Sequence, residues 1–270
     1  MVGKINKTIF RVTMNTTHLT LNSGDKMPLA GLGLWKIGAN DCAETVYKAI
    51  KMGYRLLDGA CDYGNEQHVG EGIKRALDEG LVKREDLFVV SKLWNTYHQP
   101  EHVKPALQKT LKDLQLDYLD LYLIHFPISL KYVPIEERYP PEWIHDPKSS
   151  HPRMEPDHTV TYEQTWKALE ACHDEKLVRN IGFCNLTVVK VVDVLKYARV
   201  KPAVLQVEMH PFNTQEKLLR YVQEQGIQVM AFSNFGSLSY VELGMATADD
   251  TCFLCDAVQD AAKRTGKTPA

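Results

Sequence analysis

The sequence has no apolar run near the ~20 residues that a membrane-spanning helix requires, which argues against a helical membrane protein. It also lacks an excess of either charge. There are 32 Lys and Arg against 34 Asp and Glu, a formal charge of −2. Without a basic stripe or a long charged run, nucleic acid and anionic membrane are not expected partners. The six cysteines show no framework spacing, so a reducing compartment, the cytoplasm, is expected. The familiar nucleophile devices are missing as well. There is no Gly-x-Ser-x-Gly elbow, and Glu208-Met209-His210 lacks the second histidine of a zinc helix. Gly31-Leu32-Gly33 opens like a dinucleotide fingerprint, but Lys36 stands at the third glycine position, so the match fails. Cys252-Phe253-Leu254-Cys255 has no further ligands nearby and reads as two incidental cysteines rather than a zinc or redox site.

What is present is a repeated unit: a short apolar run that ends in a polar residue, then an amphipathic stretch. After a hairpin candidate from His18 to Pro28, turning at Asn22-Ser23-Gly24, the runs are Gly31 to Trp35, Tyr54 to Asp58, Leu87 to Lys92, Tyr118 to His125, Asn180 to Cys184, Val204 to Glu208 and Ile227 to Phe232. Between them Val103, Leu107, Leu111 and Leu114 mark one helix face, Val46, Tyr47 and Ile50 another, and Leu218, Leu219 and Val222 a third. Gly53 and Gly226 stand where helices should stop. The runs lack half-wet alternation and read as parallel strands buried on both faces. An open doubly wound sheet and a closed barrel both fit. The crowding of chemical residues at the strands' C-terminal ends favours the (β/α)8 TIM-type barrel.

Two stretches break the pattern. Ile128 to Val160 is rich in Pro and His, has no period, and reads as a lid over the active rim. The final helix candidate, Cys252 to Arg264, is followed by no eighth strand, so the barrel is expected to lack that strand and the C-terminal loop. Residues 1–17, with Lys4, Lys7 and Arg11 and no acid in the first fourteen, are expected to be a poorly ordered extension. Residues 18–270 would form one incomplete barrel domain.

Asp58, Lys92 and His125 close three successive runs, and Tyr63 follows Asp58 in a turn. Ends of neighbouring strands lie roughly 5 Å apart, so an acid, an amine, an imidazole and a phenol meet at one rim. A free phenol titrates near pKa ~10. A nearby Lys92 ammonium, held charged by Asp58, is expected to lower that value. Tyr63 could then protonate an alkoxide while His125 orients the oxygen. Proton delivery without a nucleophile suggests hydride transfer or enolisation, and the former needs a cofactor. Cys184-Asn185, Gln206 and Phe232 lie on the fifth to seventh strands, where amides could hold a carboxamide and a ring could stack. On spacing alone a rim Asn and a core Phe are the more natural readings. Trp35 and Trp94 suit pocket walls, being unusual as fully buried core.

These residues resemble the aldo-keto reductase family. The resemblance rests on residues 53–60 (Gly-Tyr-Arg-Leu-Leu-Asp-Gly-Ala), 63–66 (Tyr-Gly-Asn-Glu), 91–94 (Ser-Lys-Leu-Trp), 123–127 (Leu-Ile-His-Phe-Pro), 181–185 (Ile-Gly-Phe-Cys-Asn) and 205–211 (Leu-Gln-Val-Glu-Met-His-Pro). Residues 131–141 are similar to the D-xylose reductases of fungi. The resemblance implies a barrel without a Rossmann domain that reduces an aldehyde or aldose with NADPH or NADH, as a monomer or homodimer. It implies Tyr63 as proton donor, Asp58 and Lys92 as its tuning pair, and His125 as the orienting group. Asn185 and Gln206 would contact the nicotinamide, with Cys184 and Phe232 beside them, and Trp35, Asp62 and Trp94 would line the pocket. Cys184 stands where the family usually has Ser, Phe232 where it has Tyr, and Leu186 where it has Phe. The family's phosphate-binding segment lies beyond the last residue. Two rivals remain: an inactive, nucleotide-sensing barrel remnant, and an isomerase using the same proton-transfer set without nicotinamide.

Overall fold

The computed structural model describes residues 17–269. The expectation for the N-terminal extension therefore falls, apart from Thr17, outside the described residues. The hairpin is as expected: β1 (His18–Thr20) pairs antiparallel with β2 (Lys26–Pro28). Leu21 and Met27 are buried against Leu56, Phe88, Val90, Leu121 and Leu123, so the hairpin plugs one end of the strand bundle. Asn22 Nδ2 donates to the Pro202 carbonyl at 2.8 Å, and Asn180 Nδ2 to Asp25 at 2.7 Å, which fixes the plug to two further strand regions.

Strands and helices then alternate: β3 (Gly31–Gly33), α1 (Ala39–Met52), β4 (Leu56–Asp58), α2 (Glu66–Asp78), β5 (Phe88–Leu93), α3 (Pro100–Leu114), β6 (Leu119–Ile124), α4 (Tyr162–Asp174), β7 (Val178–Cys184), α5 (Val188–Tyr197), β8 (Val204–Glu208), α6 (Glu216–Glu224), β9 (Gln228–Phe232) and α7 (Asp256–Thr265). The seven later strands form one parallel sheet in chain order. Sequential order and parallel pairing follow from strand–helix–strand connections, which return each strand beside its predecessor. The apolar faces read in the sequence are the buried ones: Val46, Tyr47 and Ile50 on α1, and Val103, Leu107, Leu111 and Leu114 on α3. Gly53 ends α1 in the left-handed conformation, φ 107°, a geometry that costs glycine nothing. The final helix starts later than expected, at Asp256, because Cys252–Leu254 forms a separate 3-10 turn capped by Thr251.

The strands carry two apolar surfaces. Leu57, Val89, Tyr122, Ile124, Phe183 and Leu205 face the helices. Leu56, Val90, Leu121, Leu123, Cys184 and Val204 face inward. Strand side chains alternate, so Asp58, Lys92, His125 and Gln206 share the inward parity. Gly182 also points inward, where a Cβ would come within 2.3 Å of the Val204 carbonyl and 2.8 Å of Leu123. Its missing side chain lets the interior close.

Among the described residues β3 and β9 are the sheet's edges and no eighth strand joins them. The rim is bridged instead by a 3-10 segment, Ser237–Leu243. Lys36 Nζ donates to the Ser239 carbonyl at 2.6 Å and pairs with Glu242 at 3.1 Å, and the Trp35 and Tyr240 rings lie 6.0 Å apart. The architecture is a nearly closed barrel of the (β/α)8 type with seven parallel strands. No described helix is long and apolar enough to cross a membrane.

Candidate active site

In the strand pairing Asp58 stands opposite Val90. Lys92 is the next inward position, about 7 Å further along its strand, a gap that a lysine stem spans. Lys92 is 0 % exposed. Its ammonium donates to Asp58 Oδ1 at 2.8 Å, to the Gly59 carbonyl at 2.9 Å and to the Tyr63 hydroxyl at 3.0 Å. Three donors meet three acceptors, which is how a buried ammonium is made tolerable. Tyr63 ends a 3-10 turn, Cys61–Tyr63, closed by Gly64 at φ 67°. The His125 ring lies 5.9 Å from the Tyr63 ring, edge to face, and 5.2 Å from Trp94. The four residues anticipated at one rim are therefore together.

Their electrostatics differ from expectation at one point. Burial disfavours the Lys92 ammonium, but the attraction of Asp58 and its other neighbours outweighs this, and its pKa is raised. For Tyr63, burial outweighs the pull of Lys92, and the phenol is pushed up to about 12 rather than lowered. The phenol thus keeps its proton at neutral pH, aimed by the ammonium. His125 is held well below the ordinary imidazole value by burial and by the Lys92 charge, so it is neutral. Its Nδ1 is buried with no hydrogen-bond partner among the described residues. Burial, with Glu142 nearby, lifts Asp62 to about 7.

Trp35 is 40 % exposed at the rim, whereas Trp94 is fully buried. The full burial of Trp94 departs from the expectation that it would be unusual as buried core. The segment after β6 covers it: Trp94 Nε1 donates to the Glu142 carbonyl at 3.0 Å, and Trp143 packs edge-on at 4.8 Å. Phe126 packs 5.0 Å from Trp143 and 4.8 Å from His125. The Ile128 to Val160 stretch does lie on the active rim. It is pinned by a Leu130–Pro156 bridge and ends at a Thr161–Gln164 capping box that starts α4. Sequence reasoning missed Phe126, Glu142 and Trp143. Pro-Pro-Glu-Trp within a stretch otherwise rich in polar residues was the available signal.

On the other side, a groove of about 800 Å³ is lined by Asn185, Glu208 and Phe232 among others. Asn185 adopts φ 59°, and its side-chain amide donates to the His125 carbonyl at 2.9 Å, which ties the groove to the catalytic rim. Gln206 and Cys184 lie beneath, both buried. Gln206 Nε2 donates to Asp58 Oδ2 at 3.1 Å, and the Cys184 thiol points at Gln206 Oε1 at 3.9 Å. An aromatic face and an amide at one groove suit a planar ring bearing a carboxamide. Among the described residues no cluster of His, Cys, Asp and Glu is placed to hold a metal ion.

A phenol, a buried ammonium–carboxylate pair and a neutral imidazole thus meet at the mouth of a parallel barrel. The model of the aldo/keto reductase family matches residues 29–250. The chain belongs to the aldo/keto reductase family. It is 50% identical over 259 residues to the probable NAD(P)H-dependent D-xylose reductase of Neosartorya fischeri, covering 95% of this chain and 79% of that one. It is 55% identical over 232 residues to the 4-dihydromethyl-trisporate dehydrogenase of Mucor mucedo, covering 85% and 71%. Among solved structures, the aldose reductase from Schistosoma japonicum matches with a TM-score of 0.81 at 37% identity, over 94% of this chain and 76% of that one.

Proposed function

We propose that this aldo/keto reductase reduces an aldehyde or aldose, xylose-like in kind, to the alcohol with NADPH or NADH, and that residues 18–270 act as one barrel unit. The observation that carries the reading is the Lys92 ammonium shared between Asp58 and the Tyr63 hydroxyl. The nicotinamide, when bound, supplies hydride. Asn185 and Phe232 would hold it at the groove, with Gln206 and Cys184 below. Tyr63 donates its proton to the substrate oxygen. A phenol raised to about 12 is still far more acidic than the aliphatic alcohol it creates, so the transfer runs downhill. Lys92 stabilises the phenolate left behind, and Asp58 keeps Lys92 charged and in place. Neutral His125 donates a hydrogen bond to the same oxygen and so selects its orientation. Trp35 and Asp62 border the substrate, with Trp94 behind them.

The test is turnover of xylose and simple aldehydes, followed by loss of reduced-nicotinamide absorbance, in the parent chain and in Tyr63→Phe. Loss of turnover with retained cofactor binding supports the assignment. Comparable rates in the two proteins reject it.

A second reading is favoured by the ring cluster of Trp94, Phe126 and Trp143. Such a wall suits a large apolar carbonyl or alcohol, and the Mucor relative is named for a dehydrogenation. A kcat/KM for an apolar aldehyde far above that for xylose would select this reading.

A further inference from the structure

Glu66 opens α2 directly after the Tyr63 turn and is buried. Among the described residues no Lys or Arg pairs with its carboxyl group. It is satisfied by hydroxyls from three separate elements. Glu66 Oε1 accepts from Ser91 Oγ at 2.6 Å, and Oε2 accepts from Thr110 Oγ1 and from the Tyr139 hydroxyl, each at 3.1 Å. Ser91 precedes Lys92 on β5, Thr110 lies on α3, and Tyr139 belongs to the covering segment. The Tyr139 ring is held from its other side by Lys109, whose ammonium lies 4.3 Å over the ring centre. Three residues beyond Tyr139, Glu142 takes the Trp94 hydrogen bond, and Trp143 follows. The neighbouring Asn65 works in the opposite direction. Its Nδ2 donates to the Leu34 carbonyl at 2.9 Å and the Ile37 carbonyl at 3.1 Å, the two ends of the turn that carries Trp35.

We infer that the Asn65-Glu66 pair consists of positioning residues that set the two walls of the substrate pocket against Tyr63: Asn65 fixes the Trp35 wall, and Glu66, through Tyr139, fixes the wall carrying Glu142 and Trp143. The inference rests on the reductase reading for its consequence in turnover, but the clamp itself is a property of the fold. A buried carboxylate serving only α2 would need no partner from a segment more than seventy residues away. Moreover, the two adjacent polar residues that follow the Tyr63 turn reach opposite walls of the pocket. The Tyr139 hydroxyl is the bond that ties the covering segment to Glu66, so losing it should loosen that segment while Ser91 and Thr110 still satisfy Glu66.

The experiment uses the full chain with two variants, Tyr139→Phe and Asn65→Ala, each read by hydrogen exchange and by steady-state kinetics. Tyr139→Phe is expected to speed exchange in residues 139–145 while leaving 34–38 and β5 unchanged, and to raise the aldehyde KM about tenfold with the nicotinamide KM and kcat held within about twofold. Asn65→Ala is expected to speed exchange in 34–38 instead. Glu66→Gln, which keeps the shape and an acceptor oxygen, should retain part of the protection. Unchanged exchange at 139–145 in Tyr139→Phe overturns the clamp, whatever the activity. Faster exchange with an unchanged aldehyde KM overturns its role in the pocket. A parent chain inactive on every aldehyde, with the exchange differences intact, overturns the reductase reading and leaves the clamp standing.

Discussion

The wall formed by β4, β5 and β6 and the wall formed by β8 and β9 are built from the same strand–helix unit, yet they are covered very differently. Every residue of β5 and β6 is buried. In the second wall β8 is buried up to Glu208, whereas every residue of the edge strand β9 is only half-buried. The first wall carries the Lys92–Asp58 ion pair and the neutral His125, in an interior largely shut off from solvent. The second carries Phe232 beside an open groove. Under the proposed function the difference separates two jobs. Moving a proton needs groups fixed in a low-dielectric setting, where an ammonium 3.0 Å from a phenol acts strongly. Admitting a large flat ligand needs a face left open.

The sharpest way to break this comparison is Tyr63→Phe. If the dry wall does the chemistry, kcat falls about 10²–10⁴-fold, while binding at the open wall, read by quenching of tryptophan fluorescence on cofactor titration, is retained. Next comes Lys92→Met. It leaves the Asp58 carboxylate without its cation, and breaking a buried pair on one side costs about 3–5 kcal/mol. Denaturant unfolding should show that loss together with lost turnover. A loss near zero would mean that the pair is as solvated as a surface bridge. On the open wall Phe232→Ala removes one ring face and should raise the nicotinamide KM about tenfold, with global stability barely changed.

The smallest effect concerns pH. Asp62 is raised to about 7, above its unfolded value, so the native state binds the extra proton between roughly pH 4 and 7. Its contribution therefore makes stability fall as pH rises through that window and level off above it. Asp62→Asn should flatten that part of the unfolding curve. An unchanged slope would place the carboxyl in water. His125, held neutral in the fold, takes up a proton only in the unfolded chain as pH falls through about 6.5, so its contribution makes stability fall with falling pH there, and His125→Gln should flatten that part of the unfolding curve.

Much of this was legible in the residues. The seven runs became seven parallel strands with ends shifted by a residue or two. The helix faces buried themselves as their periods require, and polar residues closing successive runs had to meet at one rim. The inward and outward faces were harder to tell apart. In a barrel both faces of a strand are apolar, so Val89 and Val90 look alike until the sheet curls and one faces helices and the other the interior. Trp94 read as a pocket wall because its burial depends on a segment some fifty residues away folding back over it. The direction of the Tyr63 shift is not legible in the residues for a related reason. The ammonium is visible as a residue type, but the desolvation that outweighs it is a property of everything packed around the phenol.

The sequence by itself determined the alternating units, their order in the sheet and the identity of the four residues at the rim, because local periodicity and the two-residue strand repeat act over short distances. Only the tertiary structure decided how dry that rim is, what covers Trp94 and which hydroxyls reach Glu66. Burial and long-range hydrogen bonds depend on contacts between residues far apart in the chain, and those exist only once the barrel has curled.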